Sequence, residues 1–282
     1  MIFIKKNIVY ILLFGATLSS FTQDLSEETN SELTEDEIKI GVKTGYSLGS
    51  LTAGTDNIYT ENYESVSDVD FGLTFEFKLT QLISMQTEIN YTRRGGKRSG
   101  LQPANVSELS EQLNMFFPFI GLPPITNENP LYATFESESD LQYLEFPALV
   151  KFGWGDDFRF SAAIGPYVGI LLKANQLTSG NSQFYLDSEG TTPVFVPGPS
   201  GQPYITLPSQ SLDAETNIKD NIRVVNFGGI LALGMSKKLD ESSNIFIDAR
   251  ASYGFNAIQI NDQYGESNIG GIIFSFGYAY KL

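Results

Sequence analysis

From Ile272 to the last residue, large apolar side chains fall on every second position: Ile272, Phe274, Phe276, Tyr278, Tyr280 and Leu282. Between them lie Ile273, Ser275, Gly277, Ala279 and Lys281. Chain ends usually fray and tolerate polar residues, so an apolar stripe that runs to the terminus implies a strand whose last residues are needed. Seven earlier stretches share this period of two, the signature of strands with two unlike faces. They are 38–48, 70–79, 82–94, 141–154, 158–173, 223–239 and 244–255.

The links between these stretches alternate in length. Short ones sit around Thr80, at Gly155–Asp157 and at Asp240–Ser243, and long ones at 49–67, 95–137, 175–220 and 257–267. Short turns at one end and long loops at the other predict an all-β fold, an eight-stranded antiparallel up-and-down transmembrane barrel with long extracellular loops. The alternative is a soluble barrel of lipocalin type, with the apolar face turned inward. The membrane version is preferred for two reasons. The apolar faces carry almost no charge over about ten residues, the span of a tilted strand across a bilayer. The other faces mix Gly, Ser and Ala with charges of both signs, and these suit the narrow interior of eight strands.

The segment MIFIKKNIVYILLFGATLSSFTQ places Lys5 and Lys6 before an apolar run and small residues before Gln23. It reads as a cleavable signal peptide over residues 1–22, so the protein is expected to be exported to the outer membrane. Removing it takes the formal charge from −15 to −17, because Lys5 and Lys6 leave with it. Residues 23–37 read as an acidic tail, and 38–282 as the barrel domain. A negative chain of this size is a poor partner for nucleic acid. The sequence holds neither Cys nor His, which excludes disulfides, thiol nucleophiles and Ser–His chemistry. No catalytic pair of carboxylates stands out, and no cofactor or metal is expected. Asp187, Glu189, Asp262 and Glu266 match no calcium-loop spacing.

Charges on the inward faces must pair, because a lone buried charge is costly. Glu76, Glu88, Glu145, Lys151, Arg159, Asp248 and Arg250 are the predicted lumenal network. They serve either as a structural plug or as an ion pathway. Arg93, Arg94, Lys97 and Arg98 open the 95–137 loop as a basic cluster that would meet lipopolysaccharide. In that loop 105–114 predicts a short helix with Val106, Leu109 and Leu113 on one face. The run NMFFPFIGLPP then offers an apolar patch, for a protein partner or as a lid. The Pro-rich 175–220 loop offers a second recognition surface.

Four segments resemble the PorT-like outer-membrane β-barrel family of Bacteroidota: GVKTGYSLGSL (41–51), LQYLEFPALVKF (141–152), AAIGPYVGILLKA (162–174) and FSFGYAYKL (274–282). The ending also resembles the signal read by the barrel-assembly machinery, with Ser275, Gly277, Tyr280 and Leu282 in the matching places. The resemblance implies a porin-like barrel without a catalytic motif, and for the family's namesake a need in type IX secretion. The expected function is a non-enzymatic outer-membrane protein whose loops bind a partner. A narrow channel and a secretion accessory are the alternatives.

Overall fold

The computed structural model describes residues 38–54, 58–59, 62–104, 106–196, 204–261 and 265–282. The expected signal peptide and acidic tail lie outside these residues, as do Asp262 and three of the Pro-rich loop's prolines.

Eight long strands form one closed antiparallel ring: β1 (Ile38–Ala53), β2 (Glu64–Lys78), β3 (Ile83–Ala104), β4 (Leu131–Trp154), β5 (Phe158–Ser179), β6 (Val225–Lys238), β7 (Ser243–Gly254) and β8 (Ser267–Lys281). Each pairs with its neighbours in sequence, and β8 pairs back to β1 from Lys39↔Lys281 to Ala53↔Ser267. The backbone N–H of Leu282 donates to the carbonyl of Ile38 at 2.9 Å. Closure satisfies backbone groups that lipid could not. It also accounts for the ordered terminus, because the last residue is itself part of the seam.

Facing follows the alternation. Ile272, Phe274, Phe276, Tyr278 and Tyr280 of β8 are exposed on the outside, while Ile273, Ser275 and Ala279 are buried inside. On β3, Ile89 is exposed, whereas Ser84, Gln86, Glu88, Asn90, Thr92 and Arg94 are buried. A chain that turned its polar residues inward and its Phe and Ile to water would be unstable. Against hydrocarbon the same arrangement is the favourable one.

Gly277 shows why the inner face needs small residues. It pairs with Phe246 of β7, and a Cβ there would sit 2.2 Å from the Phe246 ring and 2.7 Å from the Val42 carbonyl oxygen. The ring lies over the space a side chain would take. Gly165 in β5 is equally constrained, since its Cβ would come 2.0 Å from the Ala148 carbonyl oxygen of β4.

Strands β3, β4 and β5 run 22, 24 and 22 residues, about twice what a bilayer requires. The loops expected at 95–137 and 175–220 therefore begin late: their first and last parts are strand. Above the membrane only the inner face of the sheet has something to pack on, so period two survives with its polarity reversed. In β4, Leu131, Ala133 and Leu141 are buried and alternate with Glu136, Glu138 and Asp140, whereas farther down Phe146, Val150 and Phe152 point out to lipid. A register shift between Gln142 and Tyr143, opposite Leu171 and Lys173, marks the change of level. It also turns Lys173 to the exposed side, although the alternation below predicts the inner face.

Ala214–Asn217 adds a short strand to the extension of β5. The extended sheet carries helix α1 (Ser107–Phe116) and a 3-10 turn (Phe117–Ile120). Together they form a cap with its own core of Ala104, Leu113, Phe117, Leu131, Phe184 and Val194. Val106 and Leu109 pack against that core from the expected helical face.

Candidate functional site

The barrel interior is built in layers. At the extracellular mouth an apolar layer joins strand residues Leu51, Leu141, Tyr143, Leu171, Ala174 and Ile269 to Ile222 and Ile258, which come from the long connections. The Arg223 N–H donates to the Ile258 carbonyl at 2.7 Å, tying those two connections together.

Below lies Arg94, 1% exposed. Its Nη1 donates to Asp70 at 3.1 Å, and its Nη2 lies 3.6 Å from Glu145. Ser47 Oγ donates to the same Asp70 at 3.1 Å. The next layer centres on Glu88, whose side chain has no exposure. Its carboxylate accepts from Lys43 Nζ at 2.5 Å, Arg250 Nη1 at 2.8 Å, Gln86 Nε2 at 2.5 Å and Asn90 Nδ2 at 2.9 Å. Arg250 Nε also donates to Asp248 at 2.7 Å. One arginine thus links β7 to β3 across the barrel, and two cations are balanced by two carboxylates. Nearer the periplasm Lys151 pairs with Glu76 at 2.8 Å, and Ser84 Oγ donates to Glu76 at 2.7 Å. Beside this pair the inner faces of β4, β5 and β6 carry an apolar cluster of Leu149, Ala163, Tyr167, Ile230 and Ala232.

The predicted lumenal residues therefore meet in three groups, two of them joined through Gln86, which donates to Glu88 and accepts from Lys151 at 3.2 Å. Glu88, Arg250 and Asp248 are together, Glu76 and Lys151 form a second pair, and Glu145 stands by Arg94. Arg159 joins none of these. Its guanidinium donates to the carbonyls of Gln81, Gly153 and Gly155, which staples the turn after β2 to the turn after β4. The network also contains Lys43, Asp70 and Arg94, which the predicted set omits. Arg94 has the same parity as Glu88 and Asn90, and that was the available signal. Parity within 82–94 puts Arg94 on the polar face, although RRGGKR also reads as a basic loop cluster.

The basic cluster is accordingly dispersed. Arg94 lies inside the barrel. Arg93 pairs with Asp68 at 2.8 Å and Asp140 at 2.9 Å, and Lys97 pairs with Glu136 at 2.9 Å. Arg98 donates to the carbonyls of Ile58 and Tyr59 and stands 5.7 Å over the Tyr63 ring. These cations brace strands and loops, and an anionic lipid would have to compete with carboxylates for them.

Within the barrel, one cavity of about 60 Å³ borders Glu76, Lys151 and Arg159, and another of about 10 Å³ lies between Lys43, Asp70, Asn90, Glu145 and Arg250. A cavity needs roughly 10–15 Å³ of such space to hold a water. The smaller space suits about one water and the larger a few. Among the described residues no group of acidic side chains is arranged to hold a metal ion. Asp187 instead shapes a loop turn, accepting backbone N–H groups from Glu189, Thr191 and Thr192 at 3.1, 2.9 and 2.6 Å.

The four residues expected to form an assembly signal all lie along the seam strand or at its end. Ser275 is buried, Gly277 faces Phe246, and Tyr280 and Leu282 point outward.

No curated protein sequence matches the chain. Solved structures similar to it include Ail, the attachment invasion locus protein of Yersinia pestis, at TM-score 0.34 and 12% identity, covering 87% of this chain and 99% of that one. Neisserial surface protein A matches at 0.35 and 10%, covering 86% and 97%. The outer membrane protease OmpT of Escherichia coli matches at 0.34 and 10%, covering 90% and 99%. A family model covers residues 21–259, most of the chain. The chain belongs to the family of outer membrane protein beta-barrel domains.

Proposed function

We propose that this outer-membrane barrel is a non-conducting, non-enzymatic pedestal whose folded extracellular cap is the working surface. One observation carries the reading. The mouth is closed by well-packed apolar side chains, with Leu141 and Ala174 at 0% exposure, above layers of paired charge. Opening a pore would mean unpacking that layer and separating buried ion pairs, each costly to break. A narrow porin-like channel is therefore disfavoured. The cap has the opposite character: it stands outside the bilayer with a core of its own, so it holds a shape without contributing to the barrel wall.

The test is single-channel recording of the purified barrel in a planar bilayer, paired with protease treatment of intact cells. The pedestal reading expects no conductance steps at ±100 mV, roughly 2.3 kcal/mol per charge moved. It also expects cleavage of cap loops from outside. Discrete steps, or a cap shielded in intact cells, would overturn it. A heat-dependent shift in gel mobility reports that the barrel under test is closed.

A further inference from the structure

The cap combines two features that together specify a partner. The first is apolar exposure. Glu111, Met115 and Phe119 follow one another at intervals of four on the outer face of α1 and the 3-10 turn. Met115 is 70% and Phe119 84% exposed, although neighbouring Leu113 and Phe117 are buried in the cap core. Nothing in the cap's packing requires large apolar groups at 115 and 119. Tyr204, which meets the Phe116 ring at 5.8 Å, widens the same surface and is itself exposed.

The second feature is charge. Residues 99–141 and 174–218, which supply the cap, contain no lysine or arginine, yet they carry ten carboxylates. Cations begin only at the base, with Arg93, Lys97, Arg98, Lys173 and Lys219. Arg93, Lys97 and Lys173 each pair there with acids of the sheet. The exposed Glu111 and Glu128 lie on either side of the apolar turn in sequence, with no cation between them. Like charge would repel phosphate and sulfate groups. Height argues against lipid as well. From Arg93 to Ala104 the β3 ladder runs roughly 35 Å at about 3.3 Å per residue. At the usual tilt of about 40° this puts the end of the ladder about 27 Å above the level of Arg93, where the outer face of the sheet already carries the Arg93–Asp68 and Arg93–Asp140 ion pairs.

We infer that the Met115–Phe119 face docks a cationic polypeptide, one that presents an apolar or aromatic anchor flanked by lysine or arginine. The anchor covers Phe119 and Met115, and the basic flanks meet Glu111, Glu128 and the acidic field around them. Hot spots in interfaces are of this kind, an aromatic contact ringed by polar groups, while charge complementarity speeds encounter and rejects partners of the wrong sign. This assignment names the partner class for the pedestal reading above and rests on it.

The test uses the whole barrel in nanodiscs of neutral lipid, with binding followed by interferometry. The probe is a synthetic peptide with six lysines flanking a central Trp–Leu pair. Its controls are a version with glutamates for the lysines and one with serines for Trp and Leu. Only the first peptide is expected to bind. Its Kd should weaken at least tenfold in the Met115→Ser/Phe119→Ser variant, which leaves the charge unchanged. It should also weaken in Glu111→Gln/Glu128→Gln. All four side chains lie outside the cap core, and the gel-mobility shift verifies that each variant is assembled. Absence of binding, equal binding to the serine variant, or binding of heparin or lipopolysaccharide micelles in place of the peptide would overturn the proposal. Conductance and protease access, read on the same preparation, would show separately whether the pedestal reading itself had failed.

Discussion

Glu88→Gln removes one negative charge from the middle of the barrel and leaves nearly the same volume. Lys43 and Arg250 then share only Asp248, and their side chains are 7% and 3% exposed. Breaking a buried pair by deleting one partner costs about 3–5 kcal/mol, because the remaining charge is uncompensated. Adding Lys43→Met removes the surplus cation, so the double variant should recover at least about 2 kcal/mol. That is the non-additivity expected of side chains in one network. Stability can be followed by urea titration in detergent, using the only tryptophan, Trp154, which is exposed on the outer face at the lower end of β4. With a slope of about 2 kcal/mol per molar, the single variant should unfold about 2 M earlier. The argument would be wrong if the single variant moved by less than about 0.3 M. It would also be wrong if the double variant were no better than the sum of the two single changes.

Phe276→Lys places a charge in the lipid-facing stripe near mid-strand and should cost roughly 2–4 kcal/mol; unchanged amounts of heat-modifiable barrel in membranes would contradict the facing. Deleting Tyr280–Leu282 removes the Ile40↔Tyr280 and Lys39↔Lys281 pairs and the Leu282–Ile38 hydrogen bond. Assembly into the membrane should fall sharply, and normal insertion would show that the seam closes without them. In the cap, the N–H groups of Thr191 and Thr192 hold the Asp187 carboxyl down to about 2, against an ordinary value near 3.9. A depressed pKa makes the turn's contribution complete above about pH 4 and lost as the pH falls through about 2. NMR shifts of the Thr191 and Thr192 amides should titrate with that low midpoint; a midpoint near 4 would refute the turn geometry.

The barrel strands were readable because lipid imposes one rule along their outer faces, and eight strands obey it. Strand ends were not readable where that rule stops. In ATFESESDLQ, residues 133–142, the acidic positions face out and the apolar ones in, which resembles an acidic loop to a reader expecting a greasy exterior. The glycines and charges of RRGGKRSG mislead for the same reason. Lumenal charge was visible from parity alone. Which acid meets which base depends on register and on reach across the barrel, as with Arg250 and Glu88, which are 162 residues apart. Arg159 has the right parity and yet bonds carbonyls, because at the lower rim the nearest acceptors belong to turns. The cap core was out of reach: it joins residues 104–133 to 184–194, and nothing local in either segment announces the other.

The overlong β3–β5 sheet sets the cap at a height that evolution or a designer can change only in fixed steps. Side chains alternate faces with a period of two. Removing one residue from β4 above the membrane would swap Leu131 and Ala133 with Tyr132 and Thr134 and turn the cap core outward. Removing two from each of the three extended strands keeps every face and lowers the cap by roughly 5 Å. The extension thus behaves as a graduated spacer, with its divisions set by the pleat of the backbone, and it fixes how far through the cell's surface layer a partner must reach.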